Sequence, residues 1–463
     1  MKSNFRWIAA VALVVVPAGL NAQKTWTVKQ EWVAAHEAFL SSDVLHGRGS
    51  ATRDEELAAT YVASEFESYG LKPAPGMSGY LQSAEVVAPE LDGHATLEAG
   101  AAELAEGTDF VLLTSNGESV SGPLVKVAVS ELQTAHVEKG SAVLLMGADN
   151  PTALFGAMRS LRHAGVSMIL APETPELSGI PVMLGGKTRV SVRLAEDAAR
   201  PSPSMILLHN DAAAKLAASD GTQMNLTVHA LPLDKPRQTF NAIGYLAGTD
   251  PNAGTILLSA HLDHLGVGRP VNGDAIYNGA NDDAAGTTAV LELAHALAAG
   301  PRLKRSVLFV CYGSEELGEL GSTYFGKHPP VPLTDLVTNL EFEMIGNQDP
   351  KMPAGVLLLT GWDRSNLGPT LKAHGALLGP DPYPEQHFFE RSDNYALALK
   401  GVVAHTAAGW GTVPTYHQPD DDMAHLNIPF MTSAIQSLVE PLRWLADSDF
   451  KPAWNPGGMP KGR

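Results

Sequence analysis

The sequence predicts an α/β protein: a mostly parallel mixed sheet covered by helices on both faces, with a smaller α/β-β domain inserted. Three observations carry this. Unbroken apolar runs, "GTILLSAHLDH", "KRSVLFVCYGSEE", "LVTNLEFEMIG" and "GVVAHTAAGW", alternate with helical patterns, as expected of strands buried on both faces. The chain has 463 residues, too many for one ordinary core. Between about residues 88 and 236 the texture changes to short strands separated by turns.

From the N-terminus, "MKSNFRWIAAVALVVVPAGLNAQK" has Lys2 and Arg6 before an apolar stretch from Trp7 to Leu20, with Ala22 as a small residue for cleavage. That reads as an export signal over residues 1–22, too short and Pro17-interrupted for a membrane span. A periplasmic or secreted protein without stable membrane insertion is expected. Residues 23–87 begin the main domain. Leu57, Ala58, Tyr61, Val62, Phe66 and Leu71 form a helical stripe that Gly70 ends. Residues 88–236 are the insert: strands "GPLVKVAVS", "SAVLLMGA" and "VSMILAPE", a helix over "ALFGAMRSLRHAG", and a second strand and helix in "SMILLHNDAAAKLAASDG". Residues 237–450 return to strong α/β alternation, and 451–463 form a tail.

Composition narrows the function. There are 32 Lys and Arg against 50 Asp and Glu, a formal net charge of −18. That balance argues against nucleic acid as a partner. Cys311 is the single cysteine, so no intrachain disulfide forms, and its place inside a strand keeps it out of the candidate site.

The chemistry gathers where the strands end, the side on which open α/β sheets bind ligands. The first run finishes at His261, with Asp263 two residues on. Asp282 and Asp283 stand at the mouth of the next helix. The second run leads into Glu315 and Glu316, the third closes on Glu343, and His417 sits in the polar loop "TYHQPDDD" after the fourth. Carboxylates crowded together repel by about 4 kcal/mol at about 4 Å and an effective dielectric of about 20. Either some take up protons or cations sit among them. Two imidazoles beside the carboxylates favour zinc, because calcium and magnesium prefer all-oxygen shells.

"SAHLDHLG", "YNGANDDAAGTTAVLELAHAL", "VLFVCYGSEELGELGSTYF", "NLEFEMIG" and "TYHQPDDD" resemble, in order, the signature blocks of the secreted di-zinc aminopeptidase family. That family includes bacterial leucyl aminopeptidases and aminopeptidase Y, and it is related to glutamate carboxypeptidase and the glutaminyl cyclases. The resemblance implies two zinc ions per chain bridged by Asp282, with the following peptide bond to Asp283 cis and Asp283 turned away. One zinc would be held by Asp282, Glu316 and His417, the other by His261, Asp282 and Glu343. Asp263 would orient His261, Asp393 would support the site, and Glu315 would be the general base. Many family members have Asp before "MIG" where this chain has Glu343, and Glu341 on the same strand face competes for that role. "SAVLLMGADNPTALFGAMRSLRHAGVSMILAPE" resembles a protease-associated domain.

The implied activity is removal of N-terminal residues from peptides by metal-activated water. A glutaminyl cyclase, a carboxypeptidase of the same fold and an inactive binding domain are the alternatives.

Overall fold

Every residue of the strands Thr255–His261 and Ser306–Tyr312 is buried. Their side chains alternate between two cores. Ile256, Leu258, Ala260, Val307, Phe309 and Cys311 face one; Leu257, Leu308, Val310 and Tyr312 face the other. A strand covered on both faces needs apolar residues at both parities, which is why these runs are continuous. The computed structural model describes residues 26–132, 134–183, 188–197, 202–219, 221–231, 236–410 and 413–461. The export signal expected over 1–22 lies outside them. Among the described residues no helix is long and apolar enough to cross a membrane.

The first sheet has nine strands, in the order Leu378–Pro380, Leu357–Leu359, Ala404–Ala408, Leu336–Glu343, Thr255–His261, Ser306–Tyr312, Arg237–Leu246, Leu81–Val87 and Arg193–Leu194. The four strands from Ala404–Ala408 to Ser306–Tyr312 run parallel. The next strand on either side is antiparallel. The sheet is therefore mixed, with a parallel centre, and the carboxyl ends of the central strands share one edge. Helices Gln30–Leu40, Arg53–Ser68, Ala285–Ala299 and Ile428–Asp447 cover one face, and Leu320–Lys327 and Asn394–Ala398 cover the other.

A second nine-stranded sheet is built from strands lying between Glu90 and Leu231. Its central strands Val120–Ala128, Ala142–Met146, Met168–Pro172 and Ser204–Leu208 run parallel. Helix Asn210–Ala217 packs on one face and Pro151–Ala164 on the other, each over its own apolar cluster. The short strand Arg193–Leu194 leaves this block to pair with Leu81–Val87 at the edge of the first sheet.

The segment before residue 70 does more than cover a face. Arg48 is fully buried and donates to the carbonyls of Leu40, Leu262, Asn278 and Gly279. Glu55, also fully buried, accepts from Ala51 N, Thr239 Oγ1, Phe240 N, Ser314 N and Ser314 Oγ. These contacts tie the first helices to the loops at the carboxyl edge. Glu55→Ala leaves five donors, four of them buried, without their acceptor. We expect it to cost about 3 kcal/mol or more, read as a lowered urea midpoint; an unchanged midpoint contradicts this.

Candidate metal centre

Four chain segments leave the parallel centre at one edge and converge. The Thr255–His261 strand ends in His261, and the chain continues through Asp263 and His264. Ser306–Tyr312 runs on to Glu315 and Glu316, Leu336–Glu343 ends on Glu343, and Ala404–Ala408 leads to the loop carrying His417. Asp282 and Asp283 precede helix Ala285–Ala299, with non-helical backbone and a cis peptide bond between them. Two glycines let this turn close. Gly279 has φ +59°, and a Cβ there would strike the Asp282 carbonyl and the His264 ring; one on Gly286 would strike the Phe342 carbonyl and the Asp283 carboxylate.

The turn brings Asp282 between two groups of donors. Asp282 Oδ1 lies 3.2 Å from His261 Nε2, and Asp282 Oδ2 lies 3.2 Å from His417 Nε2. His417 Nε2 is also 3.2 Å from Glu316 Oε1. Ligand atoms of His261, Asp282 and Glu343 lie within 4.8 Å of one another, and so do those of His264, Asp282 and Glu316. Thus His261, Asp282, Glu316, Glu343 and His417 all meet in one hollow. Tyr416 stacks on His417 with centroids 3.9 Å apart, and Trp410 on Tyr416 at 5.3 Å, fixing the imidazole from the loop side.

Buried polar atoms normally have partners, yet His261 Nε2 and Glu316 Oε1 are buried without a hydrogen bond among the described residues. Burial raises the Glu315 carboxyl well above the usual carboxylate range, and the charges of Glu316, Asp393 and Glu343 add to this against His261. Burial alone would lower the His417 imidazole, but the carboxylates of Asp282 and Glu316 facing it reverse that and push it up to about 10. Burial would raise Asp282, but His261 and His417 hold it well below the usual range. Protons thus stand where cations could. Imidazole nitrogens and carboxylate oxygens, buried, converging and partly without partners, fit zinc, whose binding would release those protons.

The supporting residues are placed as follows. Asp283 points away from the hollow: its Oδ1 accepts from Gly286 N and Met344 N, both at 2.9 Å, and Oδ2 faces His261 N at 3.4 Å. Asp263 meets His261 through its backbone. The partner of His261 Nδ1 is the Asp263 backbone carbonyl at 3.2 Å, while its carboxylate stands 3.8 Å off. That carboxylate instead accepts from Glu315 N, Glu316 N and Ser50 Oγ, because the carboxyl-edge loop offers it three donors. Glu341 is satisfied by Ser392 Oγ, Asn394 N and Thr406 Oγ1, which leaves Glu343 as the strand's available carboxylate. Asp393 is fully buried, its oxygens lack partners among the described residues, and burial pushes it up to about 8.

His264 is a further residue at this site that the strand-end motifs do not mark. It is fully buried, and its Nδ1 lies 2.8 Å from Glu316 Oε1. The available signal was a second imidazole three places after His261 in "HLDHLG". Beside Glu343 opens a cavity lined in part by Thr360, Phe388, Arg391, Trp410 and Tyr416.

Residues 241–440 match Peptidase family M28, so the family resemblance read from the strand-end motifs is borne out. The chain is 28% identical over 243 residues to a probable leucine aminopeptidase 2 of Aspergillus oryzae, covering 46% of this chain and 45% of that protein. It is 24% identical over 421 residues to the probable lipoprotein aminopeptidase LpqL of Mycobacterium tuberculosis, covering 82% and 77%. The match spans less than half the length of the Aspergillus protein. Among solved structures, the fold is similar to an aminopeptidase of an Aneurinibacillus strain, with a TM-score of 0.56, 17% identity and coverage of 94% and 96%. It is also similar to a zinc aminopeptidase of Bacillus subtilis, with a TM-score of 0.53, 18% identity and coverage of 92% and 97%. These two likenesses are to the fold.

Proposed function

We propose that this chain, whose residues 241–440 match Peptidase family M28, is an exported zinc-dependent aminopeptidase that removes N-terminal residues from peptides. The observation that carries the reading is Asp282 standing between two donor groups, with Glu315 directly before Glu316 at the same strand edge. His261, Asp282 and Glu343 would hold one zinc ion, and Asp282, Glu316 and His417 the other. Zinc would supply a lowered pKa for a bound water and polarisation of the scissile carbonyl.

The remaining work belongs to the chain. Glu315 is the general base: its carboxylate takes a proton from the attacking water and returns it to the leaving amine. Its backbone N–H is anchored on Asp263 Oδ1 at 2.9 Å, which limits the movement of its side chain. The carbonyl of Asp263 fixes the His261 ring, leaving Nε2 free to face Asp282. The cavity beside Glu343 receives the side chain of the N-terminal residue, with Phe388, Trp410 and Tyr416 as its aromatic wall. Residues 88–236 form a protease-associated-like insert that restricts access, and residues 1–22 direct export.

The test uses purified protein with Leu-p-nitroanilide, its N-acetylated form and a Gln-initiated peptide. We expect hydrolysis of the free-amine substrate only, loss after dialysis against a chelator, and recovery on adding zinc. Pyroglutamate formation without release of a free amino acid would instead indicate a glutaminyl cyclase. Release of the C-terminal residue from an N-acetylated peptide with a free carboxylate would indicate a carboxypeptidase.

A further inference from the structure

His264 is not among the ligands implied by the motifs, yet it faces the same carboxylates. Its Nδ1 lies 2.8 Å from Glu316 Oε1 and 3.8 Å from Asp282 Oδ2. His417 Nε2 lies 3.2 Å from each of those two oxygens. Donors around a four-coordinate zinc with bonds of about 2.0–2.1 Å stand about 3.3 Å apart. The four spacings, from 2.8 to 3.8 Å, bracket that value. Despite its proximity to Glu316, neither ring nitrogen of His264 makes a hydrogen bond among the described residues, and neither does Glu316 Oε1. The ring is fully buried, and the absent Cβ of Gly279 leaves it the room it occupies. A buried imidazole aimed at carboxylates but outside hydrogen-bond geometry is placed as a ligand would be.

We infer that the two metal positions are unequal, and that His264 supplies the fourth protein ligand at the one formed by Asp282, Glu316 and His417. This rests on the two-metal reading above. Four protein donors close that shell, as in structural zinc sites, whereas the group of His261, Asp282 and Glu343 keeps a position open for water. The attacking water is then held on the His261 and Glu343 side. The His264 position binds its ion more tightly and has a positioning role, steering Asp282 toward its neighbour.

The test is zinc-edge X-ray absorption on the full-length protein loaded with two zinc equivalents, alongside chelator competition on wild type and His264→Ala. The inference predicts three imidazoles shared over two zinc ions in wild type. It predicts that His264→Ala weakens one zinc equivalent by more than about 100-fold, beyond the usual loss for a residue that merely supports a ligand, with circular dichroism unchanged. If the variant does not fold, the wild-type imidazole count decides. Two bound zinc ions with two imidazoles overturn this inference and leave the aminopeptidase reading intact. A wild-type protein that binds no zinc overturns both.

Discussion

Glu315→Gln is expected to keep its zinc and lose turnover by about 10²–10⁴-fold, the usual contribution of a positioned acid–base group. The amide has nearly the size of the carboxylate, so the loop is undisturbed: Glu315 N still donates to Asp263 Oδ1 and Glu316 N to Asp263 Oδ2. No donor atom of either candidate metal group belongs to residue 315. What changes is the capacity to accept a proton. The expected signature is therefore a large fall in kcat with a small change in KM and an unchanged zinc content. Near-full turnover with metal bound would remove Glu315 from the mechanism. Zinc lost together with activity would make residue 315 part of the metal shell.

Asp282→Asn is expected to have the larger effect on metal. Asp282 is the one residue common to both donor groups, and its two oxygens face His261 and His417 separately. An amide keeps the shape but loses the charge and one of two acceptors. Both positions should weaken together, with zinc content falling below one equivalent. Turnover should fall on the order of 10³-fold or more, since metal activation supplies several kcal/mol and each ~1.4 kcal/mol is tenfold in rate. The His417 imidazole, pushed up to about 10 in part by Asp282, should titrate lower in the metal-free variant, which NMR of the ring protons reads. Loss of a single zinc with the other retained at wild-type affinity would contradict a shared ligand.

The strands were legible because two covered faces demand apolar residues at both parities, and each run ended where polar groups began. The convergence of His261, Asp282, Glu316, Glu343 and His417 followed from that, since parallel neighbours end on the same edge. Period two could not choose between Glu341 and Glu343, because both lie on one face of the strand. Ser392, Asn394 and Thr406 occupy the oxygens of Glu341, and Glu343 is the one that groups with His261 and Asp282. Nothing local in the sequence marks Glu55, because its partners Thr239 and Ser314 lie 184 and 259 residues away. Asp263 was expected to orient His261, and the bend of the chain decides that its carbonyl is the group that faces the ring. His264 was hidden for a related reason. Where a ring points after a strand ends depends on the local backbone, here on the space beside Gly279, and no periodicity encodes that.

Crystals of the full chain soaked with zinc and measured at the zinc absorption edge would test the shared-aspartate centre most directly. Two anomalous peaks flanking the Asp282 carboxylate are predicted, one toward His261 and Glu343 and the other toward Glu316 and His417. A map with no peak against Asp282, or with zinc bound only elsewhere on the surface, would contradict the account.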